Sequence, residues 1–265
     1  MITRRLLLAG MATARFARPA ATGLKIGITD WNLRMTVKPE AVTTAARLGF
    51  DGVQVSCGRQ IADNKMPLDN PELIAKYIAL SKEHRIPIDG TCVDRLHDNG
   101  LKSDPLGVKW ASDGIRLTKA VGTKVALLPF FGKWALTTPE EINYVGDALR
   151  ELGKEAEKAG VILGLENTNS AEDNVRMMER SRSSAVKVYY DVVKEIRWLG
   201  KDRICQMHIK DKGMLGEGQI QFKPILQAIR EIGFSEYANL ETSVRSNETL
   251  EADQKKNLEF VRALM

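Results

Sequence analysis

The chain has 265 residues, 43% of them hydrophobic and 28% charged, the ordinary balance of a globular protein with one sizeable core. The formal net charge is +5, but Arg4, Arg5, Arg15 and Arg18 supply most of it, and elsewhere bases interleave with acids, as in Lys154-Glu-Ala-Glu-Lys158. That pattern reads as a solvated helix face. It excludes a basic stripe for nucleic acid, and no apolar run approaches the roughly 20 residues that a membrane-spanning helix needs.

Residues 1–22 read as a leader. Thr3-Arg4-Arg5-Leu6-Leu7-Leu8-Ala9-Gly10 places a twin arginine before a short apolar run, and small residues follow around Ala17 to Ala21. An export signal of the twin-arginine type is expected, with a periplasmic or otherwise exported enzyme as its consequence and a folded unit over 23–265. Without export the expected location is the cytoplasm. Cys57, Cys92 and Cys205 are three, far apart in sequence, and form no disulfide framework. They read as buried apolar residues, with Cys57 and Cys92 near strand ends that border a pocket.

The rest of the chain alternates strand and helix patterns. Leu24 to Thr29 is an apolar β run, and Pro39 to Leu48 a helix. Strands are expected at Val53 to Cys57, Ile86 to Cys92 and Lys124 to Pro129. Helices are expected between them, from Pro71 to His84 and from Pro105 to Val121. Thr138-Pro139-Glu140-Glu141 opens a helix with a threonine cap, an N1 proline and early acids, and Ala159-Gly160 closes it. Then come a strand to Glu166, a helix from Ala171, strands to Asp191 and His208, a helix from Pro224 to Ile232, a strand to Glu241, and a last helix from Glu248 to Ala263. Eight βα units without a linker predict an α/β fold, a closed (β/α)8 barrel, for which about 250 residues is typical.

The sixth unit is short. Between Asp191 and Ile204 the chain has about the minimum for a βαβ crossover, so a helix over Val193 to Leu199 has only about two turns.

Four strands in series end on metal-ligating side chains: Glu166, Asp191, His208 and Glu241. The C-terminal strand ends of a parallel barrel converge on one mouth. Two glutamates, an aspartate and a histidine gathered there suit one divalent cation, Mn²⁺, Mg²⁺, Co²⁺ or Zn²⁺. Such a metal polarises a sugar carbonyl and stabilises an enediolate, while of Glu166 and Glu241, from the fifth and eighth strands, one removes a proton and the other delivers one.

The motifs Gly164-Leu-Glu-Asn-Thr168, Tyr189-Tyr-Asp-Val192, His208-Ile-Lys-Asp211, Leu215-Gly-Glu-Gly218 and Asn239-Leu-Glu-Thr242 resemble the sugar phosphate isomerase/epimerase family. This is the xylose-isomerase-like TIM-barrel group, which also holds ketose 3-epimerases, inosose dehydratases and endonuclease IV. The resemblance runs from about Leu24 to the C-terminus and implies a metal, Mn²⁺ first, on Glu166, Asp191, His208 and Glu241, with the two glutamates as acid and base. It also implies a small-molecule sugar substrate. A homo-oligomer is expected only because barrels of this kind often pair through their helices. The departure is at Asp191-Val192, which runs directly into Val193-Lys-Glu-Ile196 where similar proteins continue with Gly-Asn and a longer loop.

Trp31, Asn32, His97, Lys210 and Glu217 are the candidate substrate-binding residues, with Phe130 and Phe131 as candidate walls. Gln54 and Ser56, alternate residues of strand two, share one face. Lys210 meets either the substrate or an acid such as Glu217, and His84 reads as surface. The leading expectation is a metal-dependent isomerase or epimerase acting on a keto-sugar by proton abstraction. A 3-keto-sugar or inosose-type dehydratase or lyase on the same residues is the alternative, and a degenerate, non-catalytic sugar-binding barrel is another, favoured by the short sixth unit. A multi-metal phosphodiesterase is disfavoured because the chain has only three histidines.

Overall fold

The computed structural model describes residues 23–190 and 195–265. The leader assigned to residues 1–22 and the metal ligand assigned to Asp191 lie outside the described residues. Eight strands close into one barrel in sequence order, every neighbour parallel. They are β1 (Lys25–Thr29), β2 (Gly52–Ser56), β3 (Ile88–Cys92), β4 (Val125–Pro129), β5 (Ile162–Glu166), β6 (Val186–Tyr190), β7 (Ile204–Ile209) and β8 (Tyr237–Leu240). Around them run α1 (Glu40–Leu48), α2 (Pro71–His84), α3 (Pro105–Ala120), α4 (Pro139–Ala159), α5 (Ala171–Ser181), α6 (Ile196–Leu199), α7 (Phe222–Glu231) and α8 (Leu250–Leu264). No helix among the described residues is long and apolar enough to cross a membrane.

Local chemistry sets the boundaries. Asn70, Asp104, Thr138 and Ser170 each turn a side-chain oxygen onto backbone N–H groups of the first helical turn, donors that have no partner within the helix. At α4 the arrangement is reciprocal, Thr138 and Glu141 forming a capping box. Gly49 and Gly160 stop α1 and α4 in the left-handed conformation, with φ 90 and 72. Three helices start two residues or more away from expectation. Among the described residues α6 is a single turn, Ile196–Leu199. Helix α7 starts before Pro224, because a proline in the first turn removes an N–H that would have no helical partner. Helix α8 starts at Leu250, because Ser246 and Thr249 bond each other's backbone in a turn first.

Outward strand residues such as Ile26, Ile28, Val53 and Leu163 join the helices in one apolar layer. Inside the barrel a smaller apolar cluster of Cys92, Val125, Leu127, Tyr189 and Cys205 lines one side. The other side is polar: Gln54, Asp89, Gln206, His208 and Asn239 are all buried. Gly27 and Gly52 make room for them, since a Cβ on Gly27 would collide with Asn239 Oδ1 and Asp89 Oδ2, and one on Gly52 would stand 2.5 Å from Asp89 Oδ2.

Candidate metal-binding active site

Glu166 is the last residue of β5. It faces Pro129 across the ladder, and its carbonyl accepts from Phe130 N–H at 2.9 Å, which holds the strand end in place. His208 sits in β7 beside Asn239 of β8. Glu241 follows β8 directly, its N–H donating to Ile209 O at 3.0 Å, so it still keeps strand geometry. The three side chains therefore emerge at the same end of the barrel, and one ligand atom from each lies within 4.8 Å of the others.

His208 is central. Its Nδ1 stands 2.7 Å from Glu166 Oε1 and 3.5 Å from Glu241 Oε2, while Nε2 stands 2.9 Å from Gln54 Oε1. Burial alone would keep the imidazole neutral, but the charges of Glu166 and Glu241 and the hydrogen bond to Glu166 outweigh it and raise the pKa. For Glu241 burial pulls the other way and is overcome by His208 and Lys210, so this carboxylate titrates below its usual range. Lys210 Nζ lies 3.1 Å from Glu241 Oε2 and 3.9 Å from Glu166 Oε1, so both glutamates already share one positive charge. Trp31 donates its indole N–H to Glu241 Oε1 at 3.1 Å and sets its ring edge-on to His208.

A cavity of about 370 Å³ stands over these residues, lined by Trp31, Arg59, Cys92, Asp94, His97, Pro129 and Phe131 with Glu166, Lys210 and Glu241. The His97 ring stacks on Phe131 with centroids 6.4 Å apart. Asp94 accepts from Ser56 Oγ at 2.5 Å and from Gly58 N–H at 3.2 Å, and burial raises its pKa.

Of the five residues expected to meet substrate, Trp31, His97 and Lys210 border this cavity. Asn32 does not. Its amide is used locally, accepting from Thr29 Oγ1 and donating to Thr242 O, which ties the β1 and β8 loops together. Glu217 is half exposed and pairs with Arg245 at 2.6 Å, so Lys210 has Glu241 as its partner instead. Phe131 walls the cavity while Phe130 is buried in the core; Cys92 lines it while Cys57 does not. His84 bonds Thr43 Oγ1 at 2.9 Å. Both Gln54 and Ser56 point inward, the first to His208 and the second to Asp94. The β2 alternation signalled that they share a face, but which face depends on barrel closure. Arg59, in a loop, carried no signal at all.

The donor set fits a divalent cation: two carboxylates and an imidazole nitrogen, close together, with the other ring nitrogen already engaged.

The chain is similar to known epimerases. A curated relative, the 2-epi-5-epi-valiolone 7-phosphate 2-epimerase of an Actinoplanes species, is 25% identical over 78% of this chain and 82% of its own length. The D-psicose 3-epimerase of Enterocloster bolteae is 24% identical over 94% and 98%. Among solved structures, D-psicose 3-epimerase of Clostridium cellulolyticum with D-tagatose superposes with a TM-score of 0.75 at 18% identity, covering 91% of this chain and 99% of that one. The 3-keto-D-glucoside 4-epimerase of E. coli gives a TM-score of 0.72 at 20% identity, with the same coverage. The family model described as xylose isomerase-like TIM barrel matches residues 42–264, and the chain belongs to that family.

Proposed function

We propose that this protein is a divalent-metal-dependent epimerase or isomerase of a keto-sugar, with Mn²⁺ as the ion. The observation that carries the reading is the convergence of Glu166, His208 and Glu241, with both glutamates lining an aromatic-walled cavity. The epimerase names of both curated relatives support it. Glu166, His208 and Glu241 would hold the ion, with Asp191 proposed as the fourth ligand. When bound, the ion supplies Lewis-acid polarisation to a carbonyl and its neighbouring hydroxyl.

The remaining work falls to the side chains. Glu241, with the Lys210 ammonium 3.1 Å from its Oε2, accepts the proton from the carbon next to the carbonyl. Trp31 holds one oxygen of that carboxylate and Lys210 the other, so its aim is set before substrate arrives. Glu166, from the strand β5 at a distance around the barrel, returns a proton to the second face of the same carbon. Trp31 and Phe131 pack the C–H face of the sugar, and His97, backed by Phe131, meets a hydroxyl at the cavity rim.

The test is deuterium exchange. Protein supplied with Mn²⁺ is incubated with D-fructose and D-psicose in D₂O and followed by NMR, beside Glu166→Gln and Glu241→Gln. Metal-dependent exchange next to the carbonyl, lost in both variants, is the expected result. No Mn²⁺ bound at about micromolar concentration and no exchange would replace this reading with that of a non-catalytic barrel.

A further inference from the structure

We infer that Gln54 is the positioning residue for the metal site, fixing which nitrogen of His208 faces the ion. The inference rests on the metal reading above. Below the site lie two buried amides, those of Gln54 and Gln206. Gln206 Nε2 donates to Asp89 O at 2.7 Å, and a backbone carbonyl can only accept, so the Gln206 amide has one orientation. Its Oε1 then points away from that bond, and no group among the described residues donates to it. Gln54 is fully buried, and its Nε2 is likewise without an acceptor.

The two atoms border the same opening. A Cβ on Gly90 would stand 3.0 Å from Gln206 Oε1 and 3.5 Å from Gln54 Nε2. A donor and an acceptor facing one glycine are complementary, and a single water can bridge them. With the Gln54 amide turned over, two carbonyl oxygens would face that opening with no protein donor among the described residues, and the amide N–H would face His208 Nε2. The Gln54 oxygen is thereby presented to His208 Nε2, at 2.9 Å. An oxygen acceptor demands N–H at Nε2. With the ion bound, the neutral ring then carries its lone pair at Nδ1, the atom that without the ion lies in hydrogen-bond reach of Glu166. The protonation pattern of the metal ligand thus follows from a strand carbonyl in β3 through two glutamines.

The test uses the full chain with Zn²⁺, a diamagnetic probe. Nitrogen-15 NMR of the His208 ring is expected to show the proton on Nε2 and the metal on Nδ1. The Gln54→Leu variant is expected to bind Zn²⁺ about 10–100-fold more weakly, with Gln54→Glu, which restores an acceptor, recovering the affinity. A mere packing role predicts the reverse order, because a buried carboxylate packs worse than leucine. A proton on Nδ1 of the loaded protein, or equal affinity in Gln54→Leu and the wild type, overturns the inference while leaving the metal site intact. No Zn²⁺ binding by the wild type overturns the metal reading, and this inference with it.

Discussion

Asp89→Asn is expected to stabilise the protein, and by more as the pH rises. The Asp89 carboxyl is sealed inside the barrel, where burial pushes its pKa up to about 8 against the opposing hydrogen bond from Asn239. Asn239 Nδ2 donates to Asp89 Oδ1 at 3.1 Å, while Asp89 Oδ2 and Asn239 Oδ1 have no partner among the described residues and crowd the same hollow at Gly27. A proton on Oδ2 turns that clash of acceptors into a hydrogen bond. The folded state therefore keeps a proton that the unfolded chain releases near pH 4. Stability is full below that pH and falls as the pH climbs through about 8, the folded pKa. A displacement of roughly four pH units corresponds to about 5 kcal/mol. Asparagine mimics the protonated acid without titrating, although its second amide hydrogen lacks an acceptor and costs about 1 kcal/mol at every pH. Urea denaturation of both proteins at pH 5 and pH 8 measures the difference. The variant should gain on the wild type by several kcal/mol between those two conditions. Parallel stabilities at both would refute a neutral Asp89.

Three further outcomes are expected. Trp31→Phe removes the indole N–H from Glu241 Oε1 but keeps the aromatic wall, so turnover should fall about tenfold or more with Mn²⁺ affinity little changed, by steady-state kinetics and calorimetry. Thr138→Ala opens the α4 capping box and should cost about 1 kcal/mol by chemical denaturation without altering activity, because the cap lies on the outer helix layer. Mn²⁺ affinity should weaken as the pH falls through the raised pKa of His208, since the ion and the proton compete for the same nitrogen; calorimetry in buffers of different ionisation heat would register the released proton.

Much of this protein was legible before folding. Strand and helix periods, Thr138-Pro139 starts and glycine stops are local signals, and each strand is short enough that an apolar run marks it. Glu166, His208 and Glu241 were visible because a parallel barrel sends every strand's C-terminal end to one mouth, so being last in a strand is itself a position in space. Asn32 and Glu217 do not line the cavity, and no local pattern could show it because loop residues carry no period: only the fold shows that Asn32 ties two loops together and that Glu217 reaches Arg245.

What the amino-acid order determined alone was the repeat, its eight-fold count and the candidate ligands at the strand ends. What tertiary structure decided was the interior. Alternation states that Gln54 and Ser56 share a face, but closure of the barrel turns that face inward and brings Gln54 to His208, 154 positions away. The same closure buries Asp89 against Asn239, 150 positions on, and so makes an ordinary aspartate a proton-holding acid. Burial and amide orientation are properties of neighbours brought from every strand at once, and no local pattern encodes them.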